Sequence, residues 1–429
     1  MKANGTHPVK SQRLAARRLL ATTPVRLLLI TGTVGAAVAL ATACSSDSGS
    51  TAAAGPDQTT LVAQGRDIFR FDTFGDETQW TDTLRLHEVI RTSVDPTTAL
   101  EKVGLKVDAE ALPAAVVQGI QDKTISLTDP ATTVALLKLN AVVGVKGTVE
   151  TVNGKDTLTR VGVTCALCHS TVDNSFAPGI GKRLDGWPNR QLNPGAIIAL
   201  SPALSAAQKA VYNSWGAGMY DPRFNLDGKN GPQVIPPAYG LQGINKIIST
   251  GDGNDLAYWN RYVGVTQMGG HGSFSEPRTG VNVTNGTDDL ISAKLPALQA
   301  YQLSIAAPPP PAGSFDATAA ARGKLVFNNA GKCATCHTGD KFTDANTRLH
   351  PPTEAVSEPE PNGAPSYASR SATRQYRTPP LAGLWQHSPY FHNGTAATLE
   401  AVVQTYNTKQ ALGLTPAQAA DLVQYLKSL

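Results

Sequence analysis

Apolar positions fall at helical spacing in two stretches, Leu295, Leu298, Tyr301 and Leu303, then Leu422, Tyr425, Leu426 and Leu429. Each predicts an amphipathic helix with one buried stripe. Thr415-Pro416 starts the later one well, with a capping hydroxyl ahead of a proline at the first helical position. Gly65-Arg66-Asp67-Ile68-Phe69 and Gly323-Lys324-Leu325-Val326-Phe327 repeat one pattern and open the two units that these helices close. Pro308-Pro309-Pro310-Pro311 cannot continue a helix and reads as a stiff connector between the units.

Between Gly65 and the end of the first unit the pattern changes. Ala131 to Val143 reads as an apolar helix, and Val149 to Val163 alternates around Asn153-Gly154, a two-residue hairpin turn. Both belong to an insertion that the second unit lacks. Glu354 to Ser369, proline-rich and acidic, reads as a surface loop. His87 shares a helical face with Leu84 and Ile90 and reads as structural.

The N-terminus carries Lys2, Lys10, Arg13, Arg17, Arg18 and Arg26 without an acid, then an apolar run from Leu27 to Leu40 ending in Ala41-Thr42-Ala43-Cys44. This is the layout of an export signal, and the run is shorter than the roughly 20 residues a membrane span needs. Ala-x-Ala suits an ordinary signal peptidase, while a small residue before Cys44 suits a lipoprotein; both cut the same bond. Residues 1–43 hold six of the 37 Lys and Arg and none of the 33 Asp and Glu, so the exported chain has a balance of −2. Nothing in that charge points to nucleic acid. The expected organisation is an export signal at 1–43, a flexible tether at 44–58, a first domain at 59–307, a linker at 308–314 and a second domain at 315–429.

Besides Cys44, the cysteines form two pairs, Cys165-Ala166-Leu167-Cys168-His169 and Cys333-Ala334-Thr335-Cys336-His337. Two thiols three positions apart can add across the vinyl groups of one haem, and the adjoining histidine then binds iron from beneath. A zinc site built from paired knuckles would need them roughly 15–20 residues apart, and here they stand 168 apart. The fold class that follows is mainly α, with two tandem cytochrome c-like domains, the first enlarged by an insertion with a small β-hairpin. His169 and His337 are the expected proximal ligands. Past Met1 only Met219 and Met268 exist, and both precede Cys333. The second haem therefore takes histidine, tyrosine or an open site opposite His337, with His350, His387, His392 and several tyrosines as candidates.

Tyr376-Arg377-Thr378-Pro379-Pro380-Leu381, Ser388-Pro389-Tyr390-Phe391-His392-Asn393-Gly394 and Thr398-Leu399-Glu400-Ala401-Val402-Val403 resemble the bacterial di-haem cytochrome c peroxidase superfamily. The resemblance covers residues 315–429 nearly end to end. In that family the residue fourteen places after the histidine of the Pro-Tyr-x-His-x-Gly run is the second haem's sixth ligand. It is methionine in the peroxidases and tyrosine in the enzyme that matures methylamine dehydrogenase; here it is Tyr406. The resemblance also places His392 close to the haem without binding iron, and it implies a calcium ion held by the carbonyls of His387 and Pro389.

The first domain lacks the peroxidases' Phe-Trp-Asp-Gly-Arg segment. Gly65 to Trp80, Gly181 to Trp187, and Tyr258-Trp259-Asn260 through His271-Gly272-Ser273-Phe274 are instead similar to di-haem rubber oxygenases. That likeness implies that Trp259 and Phe274, fifteen residues apart as in those enzymes, line the oxygen-binding face of the first haem, although both rings would also serve as core. His271 and Met268 are alternative ligands there. Trp385 or Trp215 are candidates for carrying electrons between haems.

The implied activity is a periplasmic or cell-surface haem oxidoreductase that activates peroxide or dioxygen at the first haem, with a small redox protein or quinol-linked electron donor. A dioxygenase cleaving an apolar polyene and a non-enzymatic electron carrier are the alternatives. Membrane association would come through a lipid on Cys44.

Overall fold

The computed structural model describes residues 57–429. The expected signal, Cys44 and all but the last two residues of the tether lie outside the described residues.

Asp57 caps the first helix, Gln58–Phe71, by accepting from the Thr60 amide at 2.8 Å. It crosses helix Leu295–Ser304 at Gly65. A Cβ on Gly65 would fall on the Ala297 carbonyl and 2.7 Å from the Tyr301 Cβ. Only a residue without a side chain lets the backbones come so near. One turn on, Phe69 meets Tyr301 edge-on, with ring centres 5.5 Å apart.

The second unit repeats this crossing. Asp316 caps helix Ala317–Asn328, and Thr415 with Gln418 forms a capping box on helix Pro416–Lys427. A Cβ on Gly323 would fall on the Asp421 carbonyl and 2.9 Å from the Tyr425 Cβ, and Phe327 meets Tyr425 edge-on at 5.3 Å. Phe69 and Phe327 are fully enclosed. Burial of such a ring stabilises by about 1.5–3 kcal/mol.

The chain is mainly helical, with five two-stranded sheets among the described residues. Strands Val145–Val152 and Lys155–Val163 pair antiparallel about Asn153 (φ 51°) and Gly154 (φ 76°), the left-handed pair that a tight hairpin requires. The hairpin packs through Leu158 on Leu137 in a separate core. It leads directly into Cys165, with the Thr164 hydroxyl donating to the Arg70 carbonyl. The preceding helix is Pro130–Lys138, shorter than the expected Ala131–Val143. Asn140 turns left-handed at φ 53°, and the Val143 amide is taken by the Lys106 carbonyl.

Glu354 to Ser369 also departs from expectation. Glu360, Tyr367 and Ala368 are buried, because Glu360 accepts from His392 at 2.7 Å and from Asn393 at 3.0 Å, while Glu358 accepts from the Tyr376 hydroxyl at 2.6 Å. Glu358 and Glu360 turn to partners 18 and 32 positions away, while Glu354 stays exposed.

The two halves are joined by buried polar contacts. Arg370 forks onto Asp221 at 2.9 Å and Asp227 at 2.7 Å, the Val234 amide donates to the His392 carbonyl, and the Tyr239 hydroxyl donates to Gly383. Among the described residues no helix is long and apolar enough to cross a membrane.

Adding a methyl at either crossing must push two helices apart. Gly65→Ala and Gly323→Ala should each cost about 1–3 kcal/mol or more, read from denaturant midpoints. An unchanged midpoint for both would show that the crossings do not hold the fold.

Candidate haem centres

Cys165 begins a single helical turn, Ala166–His169, closed by the His169 amide donating to the Cys165 carbonyl. One turn is what sets two cysteines three positions apart on the same side. The His169 Nδ1 lies 3.1 Å from the Pro236 carbonyl. A carbonyl only accepts, so Nδ1 carries the proton and the lone pair stays on Nε2, the arrangement of a metal-binding imidazole. Burial, reinforced by the Arg190 charge, pulls the ring's pKa down to about 4. The ring is therefore neutral and able to ligate at ordinary pH. Cys165 and Cys168 are unpaired thiols, which burial pushes up to about 12.

The second motif repeats the device. Cys333–Thr335 is a tight turn, and the His337 amide donates to the Cys333 carbonyl at 2.9 Å. The His337 Nδ1 donates to the Phe342 carbonyl at 2.9 Å, and burial lowers its pKa. Cys333 and Cys336 are also unpaired. A cleft of about 470 Å³ opens beside His337, lined by Ala334, Phe327, Phe342 and Tyr425.

Residues 375–411 match the family described as RoxA-like, cytochrome c-like. The second unit is cytochrome c-like. A cytochrome-c peroxidase, IdrP1 of Denitromonas iodatirespirans, is 28% identical over 149 residues, covering 26% of this chain and 40% of that protein. The chain thus spans well under half of that relative's length. Looser likenesses link it to solved structures. Hydrazine synthase of Kuenenia stuttgartiensis is 19% identical at a TM-score of 0.33, covering 51% of this chain and 78% of that one. A MauG-like protein associated with microbial copper homeostasis is 20% identical at 0.31, covering 46% and 73%. A variant of the diheme peroxidase BthA from Burkholderia thailandensis is 17% identical at 0.33, covering 62% and 81%.

The cofactor of a cytochrome c-like unit is haem, and the residues present fit it: free paired thiols beside an imidazole oriented by a backbone carbonyl. Tyr406 lies on helix Leu399–Lys409 of the cytochrome c-like unit. Burial raises its pKa, and its ring lies 6.2 Å from that of Phe391, the neighbour of His392. His350 is fully engaged, Nδ1 with Glu354 at 2.8 Å and Nε2 with Asp344 at 3.0 Å. His392 is engaged likewise, through Glu360 and the Ser357 hydroxyl. Of these three, Tyr406 is the best-placed candidate, while the His387 Nε2 is also without a partner.

In the first half Trp259 stacks on Tyr262 at 4.5 Å, and Phe274 meets the same ring edge-on at 5.1 Å. They pack in the core that also receives Cys165 and Cys168. The His271 Nδ1 lies 2.8 Å from the Asp288 carboxylate. Met268 is buried, with its carbonyl accepting from the Trp80 indole. Trp215 packs only with first-half aromatics such as Tyr212, Tyr220 and Phe224. Trp385 instead meets Trp187 of the other half edge-on at 5.7 Å.

Sequence reading missed Tyr220, whose pKa burial raises and which packs on the core that also receives Cys168. It also missed Trp187 and Arg190. Tyr220 and Arg190 belong to no motif, Trp187 only closes the Gly181 to Trp187 stretch, and the fold alone gives these side chains their places. The expected calcium does not fit, because Arg190 Nη2 already donates to the His387 carbonyl at 2.7 Å. A divalent ion at about 4 Å from that guanidinium would be repelled by about 8 kcal/mol at an effective dielectric near 20.

In the haem-loaded protein Tyr406→Phe should change the axial-ligand signature of one iron in electron paramagnetic resonance and leave the other alone. An unaltered spectrum would remove Tyr406 from the coordination sphere.

Proposed function

We propose that this chain is an exported di-haem c-type cytochrome working as a peroxidase-like haem oxidoreductase. The observation carrying the reading is the twofold occurrence of one device: free thiols on a single turn, followed by a neutral imidazole whose Nδ1 is held by a backbone carbonyl. Cys165 and Cys168 would tether one haem and Cys333 and Cys336 the other, with His169 and His337 beneath the irons.

Bound haem supplies redox-active iron, and an iron with an open face can take peroxide or dioxygen. Trp259 and Phe274 give the first centre an apolar wall that excludes water. Tyr406 offers the second centre an oxygen ligand, which favours oxidised iron. The Trp187–Trp385 contact is an aromatic path from one half to the other. Electrons would come from a small redox protein or a quinol-linked donor. Export to the periplasm or cell surface, with or without a lipid on Cys44, suits covalent haem.

A dioxygenase acting on an apolar polyene is the second reading, favoured by the RoxA-like match at residues 375–411 and by the Trp259–Phe274 pair. Mass spectrometry and a Soret band on the matured chain test the common premise, since two added haems are expected and none would end both readings. Peroxide-dependent oxidation of a reduced donor supports the first reading. Oxygen uptake on polyisoprene without peroxide turnover supports the second. Binding of neither cyanide nor carbon monoxide would leave a plain electron carrier.

A further inference from the structure

Three nitrogens at the junction of the two halves point to a ligand of one charge. Arg190 follows Asn189, whose amide donates to the Cys168 carbonyl, so it is fixed beside the first haem motif. Its Nη2 crosses to the His387 carbonyl in the second half, while Nε and Nη1 are buried without a partner. The His387 Nε2 is buried and unpartnered as well. No carboxylate hydrogen-bonds to Arg190 among the described residues. The phenols around it are committed elsewhere, Tyr239 donating to Gly383 and Tyr390 to Leu384. Burial has pulled the guanidinium down to about 10, and burial with the Arg190 charge has pulled His387 down to about 3.

A buried cation lacking a counter-charge is among the costlier features a fold can hold, and its donors call for acceptors. Arg190 has two unpartnered N–H donors, Nε and Nη1, free to give charge-assisted hydrogen bonds to carboxylate oxygens. We propose that Arg190, with His387, forms a carboxylate-receiving site between the two halves, that it holds a propionate of bound haem, and that its guanidinium takes the place of a bridging divalent cation. This rests on the reading that both Cys-x-x-Cys-His turns carry haem. It assigns to Arg190 a positioning role, because the side chain would set the field at the iron without touching it.

The matured, haem-loaded protein provides the test. Its thermal unfolding, followed at the Soret band, should be the same with a calcium chelator and with added calcium, and calorimetry should detect no stoichiometric calcium. One calcium bound per chain, or a lower midpoint on chelation, would overturn the proposal. Arg190→Gln removes a positive charge near the iron and should lower the midpoint potential of one haem while both remain attached. Arg190→Lys should recover part of the shift. Unchanged potentials in Arg190→Gln, with both haems present by mass, would overturn this site and leave the haem reading intact, whereas a wild-type chain without haem would end that reading first. A wild-type potential that moves with added phosphate would show the donors open to free anions and overturn the propionate assignment.

Discussion

Two backbone-to-backbone helix crossings hold up everything else in this molecule. At Gly65 the first helix rests on the Ala297 carbonyl, and at Gly323 its counterpart rests on that of Asp421. Each crossing places a phenylalanine four residues later against a tyrosine four residues further along the partner helix. These pairs form the platforms on which the Cys-x-x-Cys-His turns sit. The second turn follows almost directly, its His337 ring 6.3 Å from Phe327. The first is reached only after the hairpin has brought the chain back.

At both centres the backbone sets the tautomer of the imidazole. Pro236 and Phe342 lend a carbonyl to the imidazole of their centre, which fixes the tautomer before any metal arrives. Burial then keeps the rings neutral and the thiols protonated. Nothing in this design requires the two centres to behave alike. Trp259, Tyr262 and Phe274 pack in the core that receives the first pair of cysteines, whereas Tyr406 lies on helix Leu399–Lys409 of the second half.

The paired cysteine motifs, the repeated glycine-phenylalanine spacing, the Asn153-Gly154 turn and the Thr415 cap were legible because each is a local pattern with one physical meaning. What escaped depended on residues far apart in sequence. The acids of Glu354 to Ser369 look like a solvated loop until His392 and Tyr376 are brought to them. Arg190 looks like any surface arginine until the His387 carbonyl, nearly two hundred positions later, accepts its hydrogen bond.

The connector Pro308 to Pro311 bears on motion as well as on topology. Its first carbonyl is held by the Trp385 indole at 3.2 Å, and the same indole lies against Trp187. With Arg370 clamped onto Asp221 and Asp227, the halves cannot separate and re-dock as tethered partners do. Electron exchange between the centres would therefore proceed at a fixed separation, as within a solid, and its rate would not respond to the viscosity of the surrounding medium.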